Sequence, residues 1–328
     1  MIKVAYFGFG NSVLNYHFPF ILKMKDKFEV KTVCYPSEFR DEKLESDYPD
    51  IHFTSNADEI YNDEEIQLVV ICSPDSTHKE LVMNSLTHKK HVLVEKPITR
   101  DVAEDKELFD YAKEMGCILT VNQNRRYDSD FMSVKEIIDS GVLGDIVEVI
   151  SHYDYFRPHD NGVEGLGMMH GLAIHTIDQV VSYFGFANKV VSDVRSIHKG
   201  KFADDYIDLD LFYDNYKVSV KTSTAVLYDF PRFTVHGKKG SLIIPPRPHN
   251  SKTKQTSDKQ AVTEGHLYYV DDKSEKQHKI ITQLPNQYGL IYENLFEAIT
   301  TGKETLIKPN EVLEVLTIIE NALAPLKK

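Results

Sequence analysis

Long apolar runs, a surplus of basic residues and paired cysteines are all missing from these 328 residues, and each absence removes a class of protein. No stretch approaches the ~18 consecutive apolar residues that a membrane span requires. The formal charge of −12 disfavours nucleic acid or an anionic membrane as the main partner, because both call for a concentrated basic surface. A local basic pocket, for which Arg125-Arg126 is a candidate, is compatible with that balance. Cys34, Cys72 and Cys117 stand far apart without CxxC spacing, which argues against a disulfide framework and against structural zinc. Each lies in or beside an apolar, strand-like segment and reads as a small buried hydrophobe. A secretory leader pattern is also lacking, since Met1-Ile2-Lys3-Val4-Ala5-Tyr6-Phe7 runs straight into a strand-like stretch. A cytoplasmic location is the expectation.

What is present is an ordinary globular composition, 41% apolar and 27% charged, on a chain longer than one core usually supports, so two domains are expected. The first 122 residues alternate β-type runs with helical patterns, the sequence form of βα units on a parallel sheet. Strands are expected at Ile2 to Phe7, Glu29 to Cys34, Leu68 to Cys72, His91 to Glu95 and Cys117 to Asn122. Helices are expected at Val13 to Lys25, Thr77 to Thr87 and Val102 to Glu114, the last ending at Gly116 as a C′ glycine. Past residue 123 the pattern changes. Helices at Ser129 to Ser140 and Leu172 to Phe184 interleave with strands at Glu148 to Phe156, Asp208 to Tyr213, Lys217 to Thr222 and Phe233 to His236. Tyr213-Asp214-Asn215-Tyr216 reads as a hairpin turn, which suggests a large, mostly antiparallel open sheet. Residues 245 to 260 have loop composition, and helices at Tyr288 to Thr301 and Asn310 to Ala324 follow. The domains therefore read as 1–122 and 123–328, with the terminal helix 310–324 expected to pack back on the first.

Gly8-Phe9-Gly10 follows the first strand and precedes a helical pattern, where glycines allow a tight turn and let backbone N–H groups approach a pyrophosphate. Asn11 and Ser12 continue that turn, and Val13 stands where the full Rossmann fingerprint has a third glycine. At the end of the second strand no carboxylate stands ready for a ribose 2′-hydroxyl. Ser37 and Arg40 instead suit a 2′-phosphate, so NADP is preferred over NAD, with Glu38 as the opposing feature. Ser73-Pro74 with His78, and Glu95-Lys96-Pro97, occupy two further strand ends where open α/β sheets bind ligands. Lys96 reads either as a donor to a substrate oxygen or as a surface lysine in a turn. His175 and Asp178 share a helix face at a spacing of three, and His175 reads as an acid–base group or as a structural histidine. His170 and His175, five apart, lie on different faces and lack a third ligand, so no metal site is expected.

Taken in order from Gly8 to Asp178, Gly8-Phe9-Gly10, Ser73-Pro74 with His78, Glu95-Lys96-Pro97 and His175 with Asp178 resemble the Gfo/Idh/MocA oxidoreductases. Asn124-Arg125-Arg126-Tyr127-Asp128-Ser129-Asp130-Phe131, Gly141-Val142-Leu143-Gly144 and Tyr155-Phe156-Arg157-Pro158 look most like the branch of NADP-dependent scyllo-inositol dehydrogenases. The resemblance implies a Rossmann domain followed by an α+β domain that binds substrate and forms a homodimer or homotetramer. It implies hydride transfer between NADP or NAD and a secondary alcohol of a sugar or cyclic polyol, with Lys96 and His175 as the catalytic pair. Arg126, Tyr153, Tyr155, Arg157, His170 and Asp178 are expected on the substrate side, with cross-strand packing as the other reading for 153, 155 and 157. Gly171 stands where the family carries an aspartate. Arg157-Pro158 runs into the glycines 162–167 in place of the branch's Trp-Arg segment. These departures keep a second reading open: a dinucleotide-binding sensor with little turnover.

Overall fold

The structure is a computed structural model that describes residues 1–157, 167–197, 204–246 and 264–327. Two compact units emerge. The first holds Met1–Asn124 and Tyr288–Leu313; the second holds the described residues of 125–246 and 264–287 together with the chain from Glu314. The last helix, Pro309–Leu323, is thus shared between the two at Leu313/Glu314.

In the first unit, β1 (Ile2–Phe7), β2 (Phe28–Cys34), β3 (His52–Thr54), β4 (Ile66–Ile71), β5 (His91–Val94) and β6 (Leu119–Val121) form a parallel sheet in the order β3-β2-β1-β4-β5-β6. The order reverses between β1 and β4, which opens a crevice at their carboxyl ends. Val69, Val70 and Ile71 are wholly buried, as a strand covered on both faces requires. Each contributes roughly 1.5–3 kcal/mol of apolar burial. The expected single helix over 13–25 is replaced by a π-wound turn, Val13–His17, and a short helix, Phe18–Ile21. Pro19 lies in the first turn of that helix, where its missing N–H is harmless, whereas inside one continuous helix it would break the ladder. Helix Leu290–Thr301 returns to this unit, with Tyr292 and Phe296 packed edge-on against Phe28.

In the second unit, β7 (Ile146–His152), β8 (Lys189–Arg195), β9 (Tyr206–Phe212), β10 (Lys217–Ser223), β11 (Phe233–Gly237), β12 (Gly240–Ile244), β13 (Glu264–Val270) and β14 (Lys276–Thr282) form a sheet in the order β14-β13-β12-β11-β7-β10-β9-β8. Every pairing is antiparallel except β7 with β10. Residues 213–216 make the expected hairpin, closed by Tyr213 N–H to Tyr216 C=O at 3.0 Å. Val149, Leu209, Val218, Val220 and Val235 pack in one core with Ile174 and Ile177 of helix Ile174–Phe184 and with Ile318 and Ile319 of the last helix. The strand expected to reach Phe156 is regular only to His152, yet Tyr153, Tyr155 and Arg157 still donate their N–H groups to Lys221, Ser223 and Thr224 at 2.8–2.9 Å. Most of the loop expected at 245–260 lies outside the described residues. No helix among the described residues is long and apolar enough to cross a membrane.

Asp105, 1% exposed, accepts bonds from Thr99 N–H at 2.9 Å and Thr99 Oγ1 at 2.7 Å, and burial pushes its carboxyl up to about 7. The folded chain therefore keeps a proton that the unfolded chain releases above its ordinary 3.8, so stability falls as pH rises between those values. Asp105→Asn retains the acceptor oxygen and removes the titration. Urea unfolding at acid and alkaline pH should show the variant gaining up to about 4 kcal/mol over the parent above pH ~7. An unchanged pH slope would contradict this assignment.

Candidate active site

The turn after β1 is set by steric contact. Gly8 has φ +96°, and a Cβ there would sit 2.7 Å from the carbonyl oxygen of Cys72 at the end of β4. Its N–H reaches Cys34 C=O at 2.8 Å, while Cys72 N–H reaches Phe7 C=O at 2.7 Å, so β1, β2 and β4 are stitched together at their tips. A Cβ on Gly10 would meet nothing within 4 Å, which leaves that face of the turn open to a bulky anion, as a dinucleotide cradle needs. Phe9 does not face such a ligand: it is 8% exposed and packs on Phe18, Tyr35, Tyr48 and Phe53. Val13, in place of a third glycine, is fully buried in the π-wound turn, whose wider winding accommodates it. Asn11 is exposed, with its carbonyl taken by Asn15.

At the end of β2, Ser37 opens an exposed short turn, Ser37–Phe39. Arg40 is engaged with Glu45 through Nε at 2.5 Å and Nη2 at 2.6 Å and with Phe53 C=O through Nη1 at 3.2 Å. A phosphate bound by Arg40 would have to compete with Glu45.

The ends of β4 and β5 are tied by His78, which is 1% exposed and bonds Pro97 C=O through Nδ1 at 2.7 Å and Ser73 C=O through Nε2 at 2.9 Å. Ser73 Oγ meets Thr77 Oγ1 at 2.6 Å. Pro74 contributes backbone, its C=O accepting from Thr77. Pro97 follows a cis peptide, and half-buried Lys96 stands between it and Glu95. Glu95 Oε1 gathers Ser12 Oγ, His17 Nε2 at 2.9 Å and Asn122 Nδ2 at 2.9 Å. His17 and Asn122 carried no sequence signal; only the fold brings them to the strand end.

His17, Cys72 and Glu95 also form a three-residue group whose potential ligand atoms lie within 4.8 Å of one another. Its chemistry is that of a hydrogen-bond network. Both ring nitrogens of His17 are engaged, and burial pushes the Cys72 thiol well above its ordinary value.

In the second unit His175 and Asp178 lie on helix Ile174–Phe184, which begins after a π-wound turn, Met169–Ala173, that carries His170. Asp178 is fully buried and takes Arg126 in a two-pronged bond, Nε at 2.8 Å and Nη2 at 2.6 Å. Gln179 beside it donates to Arg125 C=O at 2.6 Å and accepts from Arg232 Nη2 at 2.9 Å. Arg232 stacks on Tyr153, and Arg157 lies 4.4 Å over the Tyr155 ring. The residues expected on the substrate side therefore divide: Arg126, Asp178, Tyr153 and His170 are buried, with Arg126 on Asp178 and Tyr153 beneath Arg232, whereas Tyr155 and Arg157 reach the surface. A Cβ at Gly171, four residues before His175, would meet nothing within 4 Å.

Comparison with known proteins follows this geometry. Residues 2–123 match the family model for the NAD-binding Rossmann fold of the Gfo/Idh/MocA oxidoreductases, and residues 135–325 match the model for their C-terminal alpha/beta domain. The uncharacterized oxidoreductase YhhX of Escherichia coli is 39% identical over 98% of this chain and 95% of its own. The scyllo-inositol 2-dehydrogenase (NADP(+)) IolW of Bacillus subtilis is 29% identical over 100% of this chain and 94% of its own. A crystal structure of a probable oxidoreductase yhhX superposes with a TM-score of 0.89 at 38% identity, covering 99% of this chain and 97% of that one.

The Arg126–Asp178 pair gives a direct test of the buried arrangement. Asp178→Asn leaves a buried guanidinium short of its counter-charge and should cost about 3 kcal/mol in urea unfolding. Full stability in that variant would contradict a structural role for the pair.

Proposed function

Because the chain belongs to the Gfo/Idh/MocA oxidoreductase family, we propose that it is a dehydrogenase acting on a secondary alcohol of a sugar or inositol-like cyclic polyol, with NADP as its preferred cofactor. The observation that carries this reading is the placement of Glu95-Lys96-Pro97 at the end of β5, in the sheet whose switch point holds Gly8 and Ser73. The nicotinamide, when bound, supplies or accepts the hydride. Lys96 donates a hydrogen bond to the substrate oxygen and offsets the negative charge that grows there as the proton leaves. His175 takes that proton during oxidation and returns it during reduction. Gly8, Gly10, Asn11 and Ser12 hold the pyrophosphate end, with Ser73 and Glu95 lining the next strand ends. Tyr155 and Arg157 are the substrate-side groups, while Arg126, Asp178 and Tyr153 hold the His175 helix in place. The chain is proposed to act as a homodimer or homotetramer in the cytoplasm. The name of IolW supports both the polyol class and the choice of NADP.

A second reading, a dinucleotide-binding sensor with little turnover, draws on Gly171, where the family aspartate is replaced by a residue with no side chain. An absorbance assay of NADP(H) and NAD(H) with a panel of inositols, aldoses and ketoses separates the two. Turnover that falls by at least about a hundredfold in Lys96→Ala and in His175→Ala supports the dehydrogenase. Tight cofactor binding with no turnover on any polyol, sugar or ketone supports the sensor.

The cofactor choice has its own test. Glu45→Ala releases Arg40 from its two bonds and should raise the NADPH over NADH affinity ratio severalfold, while Arg40→Ala should lower it. Ratios unchanged in both variants would remove Arg40 from phosphate binding.

A further inference from the structure

Beneath the Glu95-Lys96-Pro97 strand end, the first unit contains a chain of buried polar side chains to which the proposed mechanism gives no role. Tyr6 Oη lies 2.8 Å from Tyr292 Oη, Tyr292 Oη lies 2.6 Å from His17 Nδ1, and His17 Nε2 lies 2.9 Å from Glu95 Oε1. Tyr6 is fully buried, His17 is 1% exposed and Tyr292 is 2% exposed. Three separate parts of the sequence meet here: Tyr6 on β1, His17 in the turn after the glycine loop, and Tyr292 on the helix that returns some 275 residues later.

Donors and acceptors assign the direction of this chain. An ionised carboxylate can only accept, so His17 Nε2 carries the hydrogen toward Glu95. Its Nδ1 then accepts from Tyr292 O–H, and Tyr292 in turn accepts from Tyr6. Ser12 Oγ and Asn122 Nδ2 complete the set on the same carboxylate oxygen. Burial works to raise the Glu95 carboxyl, but the His17, Ser12 and Asn122 bonds outweigh it and hold the group down at about 2. The other titratable neighbours are Cys72, whose thiol stays protonated through burial, and the two tyrosines, which burial pushes up, so none of these three places a second charge beside the carboxylate. All three donors converge on Oε1. Among the described residues no donor is bonded to Oε2, and the Glu95 side chain is 17% exposed.

We propose that His17 is a positioning residue for the hydride-transfer site: locked by Tyr292, it fixes Glu95 with Oε1 engaged in the protein and Oε2 presented as an acceptor beside Lys96. The inference rests on the functional reading above, and it makes helix Leu290–Thr301, distant in sequence, part of the apparatus that holds the strand end. Glu95 would accept from a hydroxyl or amide donor of the bound dinucleotide, and an ionised Glu95 is required for that bond.

Three variants of the full chain test this. His17→Phe keeps an aromatic ring but removes both nitrogens, His17→Gln restores an N–H near Nε2, and Tyr292→Phe deletes only the hydroxyl that holds the ring. Each is measured for melting temperature, for kcat and KM, and for NADPH affinity by cofactor fluorescence as a function of pH. In a folded His17→Phe protein, kcat or NADPH affinity should fall at least about tenfold. Its acid limb should move to higher pH, because a carboxylate short of one donor binds its proton more readily. His17→Gln should recover most of the loss, and Tyr292→Phe should show a smaller shift of the same sign. A folded His17→Phe with the parent's kcat, NADPH affinity and pH profile would overturn the proposal. Should that variant fail to fold, a folded Tyr292→Phe with an unmoved acid limb would overturn it equally. Absence of turnover in the parent would defeat the dehydrogenase reading, while the pH dependence of NADPH affinity would still decide the role of His17.

Discussion

The first unit is organised by one close approach: at Gly8 the backbone of the first strand's exit passes so near Cys72 that no side chain fits between them. Because β1 and β4 are neighbours at the point where strand order reverses, this contact brings the two strand ends together and opens the ground between them. The glycine turn, Ser73 and the Glu95-Lys96-Pro97 segment are all referred to that point. Phe9, which looks like part of a binding fingerprint, serves instead as the anchor that fastens the turn to an aromatic cluster.

Around this geometry, charged side chains are largely used to hold other side chains. Arg40 is held by Glu45, Arg126 by Asp178, and Arg232 spans Ser151, His152 and Gln179. Such pairs cost desolvation and return it only when every polar atom is matched, so they confer rigidity more than net stability. The benefit falls to helix Ile174–Phe184, whose polar face is fixed at Asp178 and Gln179 while its apolar face joins the sheet core. His175 sits on an element fixed on both sides.

Much of this architecture was legible in the sequence, for reasons that can be named. Val69-Val70-Ile71 is continuously apolar because helices and loops cover both faces of β4, and the glycine turn is visible because only glycine meets its steric demand. The hairpin at 213–216 was marked by Asp-Asn. Strands β8, β12, β13 and β14 are absent from the sequence expectation: β8 and β14 are the two edges of the large sheet, exposed along much of their length, and β12 and β13 each open on or beside a glycine with only alternate residues buried. Strand β3 is three residues long and falls below any periodic signal. Among site residues, Gly8, Gly10 and Lys96 stand where the motif put them. Sequence spacing set Asp178 near His175 but gave no sign of the long-range arginine that occupies it, and a histidine at position 17 has meaning only once Tyr292 and Glu95 are folded against it.

The proposal that Lys96 and His175 serve one reacting carbon is tested most directly by a crystal structure of the protein with NADPH and a cyclic polyol bound. The account predicts Lys96 Nζ and His175 within hydrogen-bond reach, about 2.6–3.2 Å, of a single polyol hydroxyl whose carbon faces C4 of the nicotinamide. A complex in which the nicotinamide lies away from Lys96, or in which His175 contacts no substrate oxygen, would contradict it.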